Sequence, residues 1–170
     1  MSEQERQFFG TDGIRARANA YPLVPDFVVK LGQAAADAFL AKRGDSRNWP
    51  TVIIGKDTRQ SCDMLESAIA AGFTSRGIDV QLAGVIPTPA VAMLTRETGA
   101  LFGIVISASH NPFEDNGIKF FGPDGYKLDD ALELEIEAGV IAPQTPIGIA
   151  PVGRISALEG AAERYIDFVC

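Results

Sequence analysis

Cysteine is almost missing from this 170-residue chain. Cys62 and Cys170 stand far apart, a spacing that offers neither a disulfide framework nor a structural zinc site, so both are expected as reduced thiols. Long apolar runs are missing too. The longest, Ala100 to Ile106, falls well short of the roughly 20 residues needed to cross a bilayer. The opening Met1-Ser2-Glu3-Gln4-Glu5-Arg6-Gln7 lacks the basic-then-apolar layout of a signal peptide. A cytoplasmic protein without membrane contact is the expectation. Cations are in deficit, 15 Lys and Arg against 22 Asp and Glu. That balance argues against broad binding to nucleic acid or anionic membranes, yet leaves room for a small basic pocket.

What remains is an apolar fraction of 46% in a length suited to one sizeable core. Pro25 sits where a first helical turn tolerates proline, and Phe27, Leu31, Ala35 and Ala38 recur at helical spacing up to Gly44. A β-branched run, Thr51 to Ile54, precedes a polar loop over 56–61 and a helix marked by Met64, Leu65, Ala68, Ala71 and Gly72, stopped by Gly77. Val80 to Leu82, a proline-containing loop and Pro89 to Thr98 repeat the unit. Leu101 to Ile106 is continuously apolar apart from Gly103, as expected of a central strand covered on both faces.

Gly117 to Phe121 follows that strand after only about ten residues, fewer than a parallel crossover needs, which predicts an antiparallel edge strand. Leu128, Leu132 and Ile136 mark another helix, and Val140 to Gly153, with three prolines, reads as a loop or linker. Leu158, Ala161, Ala162, Tyr165 and Val169 mark a final helix without a stop signal. The whole describes a three-layer α/β sandwich, a mostly parallel sheet with an antiparallel edge strand, spanning residues 1–170. It is expected to lead into further domains.

In such sheets ligands bind at the carboxyl ends of the strands. The loops there and the N-terminal loop hold Arg15, Arg17, Lys56, Arg59, His110 and Lys119, a set suited to an anionic small molecule. Directly after the central strand comes Ser107-Ala108-Ser109-His110-Asn111-Pro112. A serine hydrolase is a poor match: there is no Gly-x-Ser-x-Gly elbow, and the single histidine is the immediate neighbour of Ser109. Phosphoryl transfer suits it better, because that chemistry asks the protein mainly to position groups and stabilise charge. A plain Ser/Asn/Pro turn is the competing interpretation of the same segment.

Three further segments, Phe9-Gly10-Thr11-Asp12-Gly13-Ile14-Arg15, Gly55-Lys56-Asp57-Thr58-Arg59-Gln60-Ser61 and Pro87-Thr88-Pro89-Ala90, accompany the serine loop and Asp115-Asn116-Gly117-Ile118-Lys119-Phe120-Phe121. Together they resemble the first domain of the α-D-phosphohexomutases over essentially the whole chain. The resemblance implies a phosphoserine enzyme that interconverts the 6- and 1-phosphates of a hexose through a bisphosphate. The opening and closing motifs are most similar to bacterial members that act on glucosamine phosphates, on the route to UDP-N-acetylglucosamine. It further implies Ser109 as the phosphoserine, whose phosphate is one ligand of Mg2+, Lys119 as proton carrier, His110 beside the phosphoryl group, and Arg15 on the active-site floor. Thr11, Asp12, Lys56, Arg59 and Asn111 are expected to bind phosphate or to hold the serine loop. A lysine can be tuned to exchange a proton near neutrality whereas arginine stays charged, which favours Lys119 over Arg15 for that role. Their alternatives are ordinary ones: an edge-strand lysine that guards against aggregation, a loop-anchoring arginine, and solvated charges at Lys56, Asp57 and Arg59. Cys62 reads as a packed thiol.

The chain departs from the family in two respects. Ala16 follows the opening motif where glycine is usual, and the Asp-Gly-Asp-x-Asp-Arg metal loop, the sugar-selecting loop and the phosphate-clamping loop have no counterpart in the sequence. The chain by itself is therefore expected not to turn over substrate. Members acting on mannose or glucose phosphates, and a non-catalytic phosphosugar-binding module, remain the rival assignments.

Overall fold

A computed structural model describes residues 6–44, 48–143 and 151–170. In chain order it contains β1 (Ile14–Arg17), α1 (Pro25–Lys42), β2 (Thr51–Lys56), α2 (Cys62–Thr74), β3 (Asp79–Val85), α3 (Thr88–Thr98), β4 (Phe102–Ile106), β5 (Asp115–Phe121), α4 (Asp130–Ile141), β6 (Ile155–Ala157) and α5 (Ala161–Val169). The apolar run of β4 is buried at every position and pairs in parallel with β2, which in turn pairs in parallel with β3. Crossover helices on both faces explain why these strands read as unbroken apolar runs rather than alternating ones.

The six strands lie in the order β1-β5-β4-β2-β3-β6. Helices α1, α2 and α4 bury their apolar sides against Val52, Ile54, Phe102, Ile104, Ile118 and Phe120. On the other face α3 packs over Ile53 and Val105 through Val91 and Leu94, joined by Ala161 of α5. Three layers result. The stop at Gly99 is a left-handed cap, φ 67°, whose N–H returns to the end of α3.

Several expectations change. β5 is antiparallel to β4, as the short connection requires, but it is not the edge: β1, in the segment read as a loop, pairs antiparallel with its outer side. The antiparallel edge strand is therefore β1, and Lys119 lies one strand inside. At the opposite edge β6 pairs in parallel with β3, a strand that the sequence reading placed within no element. β2 and β3 each also run longer than read, through a register shift after Ile54 where Gly84 takes a positive φ. Of the proline-rich stretch Val140 to Gly153, residues 144–150 lie outside the described ones.

Candidate active site

Beyond Ile106 the chain leaves the sheet, and the loop it enters is held almost wholly by its own backbone and one arginine. The Ser107 N–H donates to Gly117 O at 2.9 Å, and Asn111 N–H to Ala108 O at 3.1 Å. Ser109 N–H donates to Ser107 Oγ at 3.0 Å. Ser109 itself sits in the left-handed region, φ 56°, where an L side chain costs about 1–2 kcal/mol. That turn sends Ser109 and His110 outward, and both are exposed, with Ser109 Oγ 3.4 Å from His110 Nδ1. Asn111 faces inward along the loop instead: its Nδ2 donates to Asp115 Oδ2 at 3.1 Å.

Arg59 underpins this loop. Its Nη2 donates to the carbonyls of Ser109 at 3.1 Å and Asn111 at 2.9 Å. Its Nη1 donates to the carbonyls of Pro112 and Asp115, and its Nε to Asp57 Oδ2 at 3.0 Å. A guanidinium has five donors in a rigid fork, and here each has an acceptor. Asp57 fixes the arginine in turn, accepting the Arg59 N–H at 3.0 Å, while its own N–H caps Ile106 O at the end of β4. Burial works against the ionised Asp57, but bonds from the Arg59 N–H, the Ser107 hydroxyl, the Cys62 thiol and the Arg59 side chain outweigh it and hold the carboxyl below its usual range. Burial, reinforced by Asp57, has the opposite effect on Cys62 and pushes its thiol up to about 11. Asn116, fully buried, closes the network through Ser61 Oγ and Cys62 Sγ.

The second half of the site lies on β1 and β5. Arg15 is directly opposite Gly117, and Lys119 follows two residues later on the same face of the sheet. A Cβ at Gly117 would stand 2.8 Å from Ser107 O and 3.0 Å from Arg15 Cγ. The missing side chain thus lets Arg15 cross the strand beside the root of the serine loop. Asp12 lies between the two cations, 3.3 Å from Arg15 Nη2 and 3.9 Å from Lys119 Nζ. Arg15 Nε is buried without a hydrogen-bond partner among the described residues. Thr11 and Asp12 are exposed on a tight turn closed by reciprocal Gly10 and Gly13 bonds, beside a cavity of about 260 Å³ that Arg15 and Phe8 also line.

Ser109, His110, Asn111 and Arg59 thus gather on one loop system, and Thr11, Asp12, Arg15 and Lys119 on the adjoining strands. Lys56 is separate. Its ammonium is paired with Asp63 at 2.7 Å and Glu66 at 2.5 Å on α2; burial opposes its charge, yet the two carboxylates prevail and raise its pKa. Its charge is thereby balanced on α2. Sequence reasoning passed over Ser107, Asn116 and Cys62 as a supporting network, for which a buried asparagine inside a strand is the one available signal. Among the described residues no three of His, Cys, Asp and Glu gather closely enough to hold a metal ion, so these residues alone do not suit Mg2+.

The profile of the phosphoglucomutase/phosphomannomutase family, alpha/beta/alpha domain I, matches residues 6–145. The chain is 55% identical over 163 residues to a phosphoglucosamine mutase of Chromobacterium violaceum, covering 96% of this chain and 36% of that protein. It is 56% identical over 160 residues to one of Deinococcus radiodurans, covering 91% and 35%. Among solved structures it resembles a phosphomannomutase described as putative from Thermus thermophilus, with TM-score 0.76 and 26% identity over 97% of this chain and 36% of that one. A phosphoglucomutase/phosphomannomutase family protein from Burkholderia thailandensis shares the fold, with TM-score 0.78 and 22% identity over 96% and 35%. The chain thus spans about a third of the length of the curated relatives it matches. It belongs to the phosphoglucomutase/phosphomannomutase family, of which it carries the alpha/beta/alpha domain I.

Proposed function

We propose that this chain is the N-terminal part of a phosphoglucosamine mutase, interconverting glucosamine 6-phosphate and glucosamine 1-phosphate through an enzyme phosphoserine and a bisphosphate. The carrying observation is the Ser109 loop: an exposed hydroxyl, turned outward by a left-handed backbone and held from beneath by Arg59. Identity above 50% to proteins of that name supports the choice of sugar. Residues 1–170 serve as one domain, and the remaining domains of the same polypeptide supply the loops for metal and sugar.

In one half-reaction the free hydroxyl oxygen of the sugar phosphate attacks phosphorus on Ser109. The P–Oγ bond breaks, the proton of the attacking hydroxyl passes to Lys119, and Ser109 Oγ takes a proton from solvent as the bisphosphate forms. In the other half Ser109 Oγ attacks the second phosphate and gives its proton back to solvent, the bond from that phosphorus to the sugar oxygen breaks, and Lys119 returns its proton to the oxygen released. Arg15, permanently charged, binds phosphate from the floor. His110, adjacent to Ser109 Oγ, flanks the phosphoryl group, and Asn111 holds the serine loop through Asp115. Thr11 and Asp12 border the same floor, and Asp12 orients Lys119. Arg59 acts through the loop backbone.

A phosphate on Ser109 would give Mg2+ one oxygen ligand, with the others brought by the rest of the polypeptide. The free thiols Cys62 and Cys170 suit a reducing cytoplasm, and the product suits a route to UDP-N-acetylglucosamine and peptidoglycan.

The test compares kcat/KM for glucosamine, glucose and mannose phosphates in the full-length enzyme and its Ser109→Ala variant. Preference for glucosamine phosphates and loss of turnover in the variant support the proposal. Equal rates on the three sugars would remove the substrate assignment, and an active variant would remove the phosphoserine mechanism.

A further inference from the structure

The segment just before the Thr11–Arg15 floor is held by a helix on the far side of the sheet. The carboxylate of Glu137, on α4 and only 4% exposed, accepts three consecutive backbone N–H groups. Gln7 N–H reaches Oε2 at 2.8 Å, and Phe8 and Phe9 N–H reach Oε1 at 2.7 and 2.6 Å. One turn earlier Glu133, 2% exposed, takes Arg6 Nη1 at 2.5 Å, and Asp130 takes the same nitrogen at 2.7 Å. The spacing of 130, 133 and 137 puts the three carboxylates on one side of α4.

Phe9 is buried against Phe120, and the next residue begins the Gly10–Gly13 turn that displays Thr11 and Asp12. That turn therefore has two anchors. On its C-terminal side β1 is paired with β5, and on its N-terminal side the backbone is fixed by Glu137.

We infer that Glu137 is a positioning residue for the active-site floor: by holding the N–H groups of residues 7–9 it sets where Asp12 and Arg15 stand relative to Lys119. This rests on the phosphoryl-transfer assignment above and adds to it a residue on the opposite side of the sheet. A neutral amide cannot replace the carboxylate. Glutamine retains one acceptor oxygen, and its NH2 group would face an N–H donor that then has no acceptor.

The test is a double-mutant cycle in the full-length enzyme, read as kcat/KM, with unfolding temperature and hydrogen exchange measured on the same proteins. Glu137→Gln lowers kcat/KM by about tenfold or more in the wild-type background, since small misplacements at a reacting centre are costly. In the Arg15→Ala background the same change costs less than about twofold, the range within which independent effects are indistinguishable. Amide exchange at 7–15 rises while that of β4 stays as in wild type. Equal losses in both backgrounds, or unchanged exchange at 7–15, would overturn the inference.

Where Glu137→Gln does not fold, Arg6→Ala, which loosens the same anchor through Glu133, replaces it in the cycle with the same expectations. Failure of the underlying assignment is distinguishable, because there the wild-type enzyme has no mutase activity. Hydrogen exchange then still decides whether Glu137 fixes the loop.

Discussion

The guanidinium of Arg59 hydrogen-bonds the carbonyl of Ser109 at 3.1 Å, so a side chain from the loop after β2 fixes the backbone of the residue whose hydroxyl faces solvent after β4. The same group holds the carbonyls of Asn111, Pro112 and Asp115. This arginine makes the outward pose of Ser109 a property of the fold rather than of the loop alone.

Arg59→Lys keeps the charge but replaces a five-donor fork with three donors on one atom. It cannot meet four carbonyls and Asp57 together. We expect urea unfolding to show a loss of about 2 kcal/mol, and phosphoryl uptake by Ser109 to slow in parallel.

Ser109→Gly and Ser109→Ala both remove the hydroxyl and should both be inactive. They should differ in stability. At φ 56° the glycine variant avoids the Cβ strain that alanine retains, so it should be the more stable of the two by about 1 kcal/mol. Thermal unfolding of the pair decides this, and identical transitions would argue against strain at this residue.

Gly117→Ala places a methyl 2.8 Å from Ser107 O and 3.0 Å from Arg15 Cγ. Arg15 and the root of the serine loop must move apart. In the full-length enzyme kcat/KM should fall by about 10²-fold, with a stability loss of about 1–3 kcal/mol. An active, stable variant would show that Arg15 does not need this path.

The Cys62 thiol titrates from an ordinary value of 9.0 up to about 11 in the folded protein. The folded state then holds its proton more tightly than the unfolded one, so this contribution to stability is complete below pH 9.0 and is lost as pH rises toward about 11. Unfolding free energies across that window should fall more steeply for wild type than for Cys62→Ala. A thiol reagent at neutral pH should modify exposed Cys170 long before buried Cys62.

Much of the fold was legible because burial leaves a pattern in the sequence. The unbroken apolar run of β4 and the helical spacing of Phe27, Leu31, Ala35 and Ala38 need two covered faces and one, respectively. The edges carry no such pattern. β1 buries Ile14 but not its two arginines, and it is a strand only because β5, about a hundred residues later in the chain, accepts its backbone. Every residue of β6 is exposed. At the site, motif residues named Ser109, Lys119 and Arg15, but the acceptors of Arg59 and the donors to Glu137 are backbone groups of distant segments. No side-chain pattern reports those. Lys56, a basic residue in a matching motif, is paired with Asp63 and Glu66, partners that no motif names.

The most direct measurement is tandem mass spectrometry of the full-length enzyme after exposure to a hexose 1,6-bisphosphate. One phosphoryl group should appear on Ser109 and pass to glucosamine phosphate when that sugar is added. A phosphate found on another residue, or none on an enzyme that still turns over, would contradict Ser109 as the carrier.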